Sequence, residues 1–254
     1  MKLFVDTANL DDIARALEGG FVRGITTNPS LLAKEPKSGY LEHMKRIVKI
    51  AESHGGEASL SIEVFTDDHC EMIRQAQQFW DELAYANLAI KIHVSHRGQD
   101  NLRVVKELSG RGIAVNCTAC VTPLQGLLAA AAGARYVSIF YNRVKDGGRE
   151  PGFEAERRAL LEGRILDAAD FDANSVVRET RSLIDPDYPA EIIVGSVRSV
   201  LDIKQAGLAG AHIVTVPPKF FAPALRHYKT DQAVDQFFTD FQNWTSEEVA
   251  APGA

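Results

Sequence analysis

The chain has 254 residues, 45% hydrophobic and 24% charged, with a formal net charge of −6 at pH 7. That length supports one large core or two small ones; the scattered basic residues and negative balance argue against a nucleic-acid groove. No apolar run approaches the roughly 18 residues of a membrane span. The opening Met1-Lys2-Leu3-Phe4-Val5-Asp6 reads as a first strand rather than a signal peptide, so the expected location is cytoplasmic, with no membrane partner.

Short runs rich in β-branched or large apolar residues fall at 2–6, 22–26, 58–65, 88–94, 113–118, 136–140, 191–196 and 211–216. Between them, helical periodicity covers 10–17, 41–53, 70–83, 101–108, 123–132, 200–206 and 218–227. Asn9 or Asp11, Asp67 or Asp68, Thr122 before Pro123, and Ser199 are the expected N-caps. Gly19-Gly20, Gly110, Gly133, Gly207 and Gly210 are the expected ends. Eight strands alternating with helices predict an α/β protein, a single-domain (β/α)8 TIM barrel over residues 1–228. A doubly wound open sheet is the alternative, but Asp6-Thr7-Ala8-Asn9-Leu10 stands where its glycine-rich dinucleotide loop belongs.

Two regions depart from the alternation. Residues 144–188 exceed one helix and predict a loop with two helices, including 171–184, acting as a lid or oligomer contact. Residues 229–254 follow the last strand and contain an additional amphipathic helix at 231–244, whose stripe of Val234, Phe237, Phe238, Phe241 and Trp244 must cover something. That surface is the barrel itself or a neighbouring subunit; residues 246–254 read as a frayed tail. Cys117 and Cys120 have a CxxC spacing without a second pair, so they read as two small apolar residues.

Lys91 lies inside Leu88-Ala89-Ile90-Lys91-Ile92-His93-Val94, which otherwise reads as a buried strand. Taking an ammonium out of water costs several kcal/mol (an order-of-magnitude figure) unless it is paired or deprotonated. Lys91 is therefore either a structural residue paired with a carboxylate or reaching water at an edge, or an amine held partly neutral to form a Schiff base with a carbonyl.

Polar residues recur where the other strands end: Asp6, Thr26-Thr27-Asn28, Glu63, Asn116 with Thr118, Ser138 with Phe140 and Arg143, then Ser196 with Arg198. In a barrel these ends share one mouth. An amine at Lys91 can attack a ketone, and Asp6 and Glu63 can move the protons. Neutral hydrogen-bonding groups at Asn28, Asn116 and Thr118 suit sugar hydroxyls. Arg143, Arg198 and Ser196, at the start of a helix, suit a phosphate. No His-x-x-x-His or four-cysteine spacing suggests a metal.

These residues carry a resemblance to the transaldolases, especially the short-chain branch that includes fructose-6-phosphate aldolases. Gly24-Ile25-Thr26-Thr27-Asn28-Pro29-Ser30-Leu31-Leu32 is similar to the family's first signature throughout. Leu3-Phe4-Val5-Asp6-Thr7, Ile90-Lys91-Ile92, Asn116-Cys117-Thr118, Ser138-Ile139-Phe140 with Asn142-Arg143, and Ser196-Val197-Arg198 follow in the family's order. The resemblance implies a (β/α)8 barrel, no cofactor, sugar-phosphate substrates of the pentose phosphate type and a homo-oligomer, with pentamers or decamers common in the branch. It makes Lys91 the Schiff-base lysine and Asp6 the acid–base group at the cleaved bond. Glu63 and Thr118 would hold a catalytic water. Asn28, Asn116 and Ser138 would bind hydroxyls, with Thr27 and Phe140 also at the substrate, and Arg143, Ser196 and Arg198 would bind phosphate. Glu63 and Phe140 match transaldolases, where the aldolase branch carries Gln and Tyr.

His93 stands where the family carries a small residue or proline, on the same strand face as Lys91. It is a wall residue, or an extra proton carrier or substrate contact. With the long 144–188 segment, it leaves a specialised or sulfonated sugar open. The expected activity is transfer of a dihydroxyacetone unit from a ketose phosphate, such as fructose 6-phosphate or sedoheptulose 7-phosphate, to an aldose. The alternatives are a fructose-6-phosphate aldolase-like lyase and a non-catalytic sugar-phosphate-binding barrel.

Overall fold

In the computed structural model of the protein, which describes residues 1–185 and 187–249, the strand-forming runs pair in parallel. The strands are β1 (Lys2–Asp6), β2 (Val22–Thr26), β3 (Ser59–Glu63), β4 (Leu88–His93), a hairpin of β5 (Ser95–His96) and β6 (Gln99–Asp100), β7 (Val115–Cys120), β8 (Tyr136–Phe140), β9 (Glu191–Gly195) and β10 (Ile213–Val216). All except the hairpin close a barrel in the order β1-β10-β9-β8-β7-β4-β3-β2. The fold is the expected (β/α)8 barrel with an additional C-terminal helix.

The helices that follow these strands are α1 (Leu10–Glu18), α2 (Pro29–Leu32), α3 (Tyr40–Ser53), α4 (His69–Leu83), α5 (Leu102–Gly110), α6 (Pro123–Ala131), α7 (Tyr141–Gly147), α8 (Glu154–Glu162), α9 (Ala173–Ile184) and α10 (Val200–Leu208). Asn9, Asp68, Thr122 and Ser199 each cap a helix by accepting a backbone N–H, with reciprocal capping boxes at Thr122 and Ser199. Residues 144–188 hold the end of α7, then α8, a 3-10 turn (Ala168–Phe171) and α9.

Alternation along each strand sends one set of side chains to the helices and the other into the barrel. Phe4, Ala89, Tyr136, Ile193 and Ile213 form a buried interior cluster, with Phe4 meeting Tyr136 edge-on at 6.4 Å. The Phe4 ring explains Gly24: a Cβ there would lie 2.6 Å from it. Ala89 is in this interior, so Lys91 and His93, two and four residues on, face the same way. Bulky side chains thus fill the barrel lower down and polar ones occupy the strand ends.

Two expectations change, and one element appears that the periodicity did not give. Residues 218–227 form only a 3-10 turn (Pro218–Phe220) and the short α11 (Phe221–Ala224), Pro223 lacking the N–H a longer helix needs. The run after β4 contains the hairpin, turned by Arg97 and Gly98 at positive φ. Gly207 lies within α10 instead of ending it.

The chain divides into two compact units, Met1–Pro218 and Lys219–Ala254. In the second, α12 (Tyr228–Val249) extends beyond the expected 231–244 and exposes Phe237, Phe238, Phe241 and Trp244. The helix runs through Val249, into the 246–254 segment expected to fray; residues 250–254 lie outside those described. Among the described residues, no helix is long and apolar enough to cross a membrane.

Candidate active site

Parallel register puts the polar strand ends side by side. Glu63 pairs with Lys91, Lys91 with Asn116, and His93 with Thr118. Lys91 is 6% exposed. Its Nζ donates to Glu63 Oε2 at 2.8 Å and to the Thr27 carbonyl at 3.0 Å. The structural reading of Lys91 is thus met in part, since the lysine has a carboxylate partner. The pair nevertheless opens on a cavity of about 380 Å³, which Asp6, Asn28, Asn116, Thr118, Ser138, Phe140, Arg143 and Ser196 also line.

Asp6 accepts from the Thr26 hydroxyl at 2.8 Å, and the Thr26 and Thr215 hydroxyls are 2.6 Å apart. Burial raises the Asp6 carboxyl above the usual aspartate range, against the Thr26 hydrogen bond and the Lys91 and Lys34 charges. The result is a carboxyl suited to exchanging a proton with a hydroxyl. Asn28 caps α2 by accepting from the Leu31 N–H at 3.0 Å. Asn116 is clamped: its Nδ2 donates to Ser61 Oγ at 3.1 Å and its Oδ1 accepts from Ser138 at 2.6 Å. A bulge in β7, with Ala119 at φ +62°, follows Thr118, whose buried hydroxyl has no hydrogen-bond partner among the described residues. Cys117 and Cys120 in this strand are buried free thiols, and the Cys117 contact and burial push Cys120 well up.

On the β8–β9 side, Ser196 stands at φ +59°, the left-handed region that a serine adopts at a cost. Asp202, near the start of α10, fixes this turn. It accepts from the Arg198 N–H at 2.9 Å, the Ser199 N–H at 3.1 Å, Asn142 at 2.8 Å and Lys145 at 3.0 Å. Asn142 also donates to the Ser196 carbonyl at 2.7 Å. Burial pushes Asp202 upward, but Asn142, the Arg198 N–H and Lys145 outweigh it and hold the carboxyl below its usual range.

Three residues expected at the site do not line this cavity. Thr27 gives its hydroxyl to the Ser61 carbonyl at 3.2 Å and contributes its own carbonyl to Lys91. Arg198 turns to Asp146, with bonds of 2.9 and 2.5 Å, and does not line the cavity. His93 borders a separate cavity of about 220 Å³ with Asp67, His96, Arg97, Gln99 and Asn101. Its Nε2 is 3.3 Å from Asp67 but misaligned for a hydrogen bond. Sequence reasoning missed Thr215, Asp146, Asp202 and Tyr40, whose hydroxyl donates to the Glu63 carbonyl at 3.2 Å. Thr215 was legible as a polar residue in an apolar strand; the others sit in helices among ordinary surface charges. Among the described residues, no group of three His, Cys, Asp or Glu side chains is placed to hold a metal ion.

Fold and cavity together define a class: a (β/α)8 barrel with a lysine–carboxylate pair at the C-terminal mouth. At the level of fold alone, the chain is similar to thiamine phosphate pyrophosphorylase from Pyrococcus furiosus (TM-score 0.52, 12% identity, 85% of each chain). The family model for Transaldolase/Fructose-6-phosphate aldolase matches residues 3–251, and the chain belongs to that family. Relatives named probable transaldolase include those of Geobacillus sp. (37% identical, covering 95% of this chain and 98% of the relative) and Clostridioides difficile (36%, 95% and 97%). That of Symbiobacterium thermophilum is 33% identical, with 95% and 97% covered.

Proposed function

We propose that this protein is a transaldolase, transferring a dihydroxyacetone unit from a ketose phosphate such as fructose 6-phosphate or sedoheptulose 7-phosphate to an aldose through an imine on Lys91. The observation that carries the reading is the buried Lys91 Nζ, 2.8 Å from Glu63 in a cavity that Asp6 shares. Glu63 is within reach to take the ammonium proton, freeing the nitrogen lone pair for attack on the ketose C2 carbonyl. Protonation of the resulting carbinolamine oxygen releases water and leaves an iminium. Asp6 then removes the proton of the C4 hydroxyl, the C3–C4 bond breaks, and its electron pair passes into the iminium to give an enamine. The first aldehyde leaves. The enamine attacks an acceptor aldehyde, Asp6 returns its proton to the new hydroxyl, and water hydrolyses the imine.

The Asn116–Ser138–Ser61 chain suits the hydroxyls of the three-carbon unit, and Thr118 with Glu63 suits the water of imine formation. Arg143 and Ser196, on the β8–β9 side, suit the phosphate. The family includes aldolases, and Phe140 favours transfer over that lyase reading because a phenyl ring cannot donate a proton to the enamine carbon. The test is fructose 6-phosphate incubated with and without an aldose acceptor. Transfer with little free dihydroxyacetone is expected; comparable release without acceptor would make the protein an aldolase, and phosphate binding without turnover a sugar-phosphate-binding barrel. The exposed apolar stripe of α12 supports a homo-oligomer. Deleting residues 229–254 should lower the mass in solution.

A further inference from the structure

Three guanidinium groups converge on one carboxylate, and one of them, Arg143, lines the cavity. Asp146, in the last turn of α7, is held bidentately by Arg198, while Arg143 Nη1 lies 3.9 Å and Arg149 Nη2 3.8 Å from its oxygens. An aspartate there opposes the helix dipole and is a poor choice for helix stability alone. Arg198 leaves the turn that Asp202 fixes beside Ser196, yet its guanidinium is spent on Asp146. The three arginines and Asp146 together carry a formal charge of about +2, the complement of a phosphate dianion.

We propose that Asp146 is an internal competitor for the substrate's phosphate: its carboxylate occupies the Arg198 donors that a phosphate would take, and a phosphate entering beside Arg143 and Ser196 displaces it. This rests on the phosphate end of the proposed transaldolase site and makes Asp146 a specificity-determining residue. The two carboxylate oxygens stand in for two phosphate oxygens, because both present planar or near-planar acceptor pairs to the guanidinium fork. The Arg198 pair holds the Asp146 carboxyl below its usual range, so the competitor is charged at neutral pH. Arg198 is about half exposed, which leaves it room to turn. A substrate with a phosphate recovers the broken ion pair in a stronger one; a neutral sugar cannot. Asp146 therefore lowers phosphate affinity.

The experiment is calorimetric titration of the full chain with inorganic phosphate at low ionic strength. Asp146→Asn is expected to tighten binding about three- to tenfold, the range for releasing one exposed ion pair and one repelling charge. Asp146→Ser should do the same, guarding against a defect peculiar to the amide. Adding Arg198→Ala to Asp146→Asn should remove most of the gain. In borohydride trapping on Lys91, the half-saturating concentration of fructose 6-phosphate relative to that of dihydroxyacetone should fall by a similar factor. Unchanged or weaker phosphate binding in both single variants would overturn the proposal, since Asp146 would then merely position Arg198. A gain that survives loss of Arg198 would overturn it too, reducing the effect to net charge. If neither wild type nor variant binds phosphate while Lys91 still traps dihydroxyacetone, this inference and the phosphate assignment fall together and the imine chemistry stands. If the variants gain phosphate affinity but Lys91 traps nothing, the transaldolase reading falls and the competition stands.

Discussion

Across the mouth of the barrel, the lysine side and the anion side are built differently. Glu63, Lys91 and Asn116 are register partners on three adjacent strands, so the ladder that closes the barrel also sets their spacing. Arg143, Ser196 and Arg198 lie beyond the strand ends, in α7 and the turn after β9, and are positioned by the helix-borne Asp146 and Asp202. β3 and β9 stand four strands apart either way round the ring. In the proposed reading, the bond-making groups therefore sit on the rigid part of the scaffold and the phosphate contacts on side chains with exchangeable partners.

This contrast predicts unequal mutational costs. Removing the nucleophile on the rigid side costs most: Lys91→Met should lower transfer on the order of 10⁴-fold or more, read as kcat/KM. Asp6→Asn should cost about 10²–10⁴-fold, the usual range for a positioned acid–base group. The wild-type pH profile carries the same claim. Asp6 must be ionised to accept the hydroxyl proton, and burial raises its pKa, so kcat should climb with pH through a value above the ordinary aspartate range. An acid limb near pH 4 would contradict that assignment. Glu63→Gln keeps a hydrogen-bond acceptor near Lys91 but removes the base, and a loss of about 10- to 100-fold is expected. On the anion side the cost appears first as stability and KM. Asp202→Asn removes acceptance from four donors, and about 2–3 kcal/mol of stability should be lost in denaturant melts. A fall in kcat at constant KM would place Asp202 on the wrong side of the comparison.

The same division explains what the sequence made legible. Short apolar runs and capping residues marked the strands and helices, and Lys91 stood out because a charge inside Leu88–His93 breaks the pattern of a buried strand. Strand-borne groups inherit their neighbours from pairing, so order along the chain was enough to place Glu63, Lys91 and Asn116 together. Arg198 was legible as a cation near a strand end, but its choice of Asp146 depends on a side-chain turn that no periodicity encodes. The positive φ of Ser196 and Ala119 was hidden for the same reason: the surrounding structure holds both residues against local preference. His93 shows a limit of alternation. Its position on the Lys91 face was readable, whereas its cavity is made by Asp67, just before α4, and by the β5–β6 hairpin.

The account depends most on covalent attachment of the substrate to one amine. The protein should be incubated with fructose 6-phosphate and borohydride, digested, and mapped by mass, with Lys91→Met alongside. A reduced adduct confined to Lys91 and missing from the variant is the predicted result; equal labelling of both proteins, or attachment at another lysine, would contradict it.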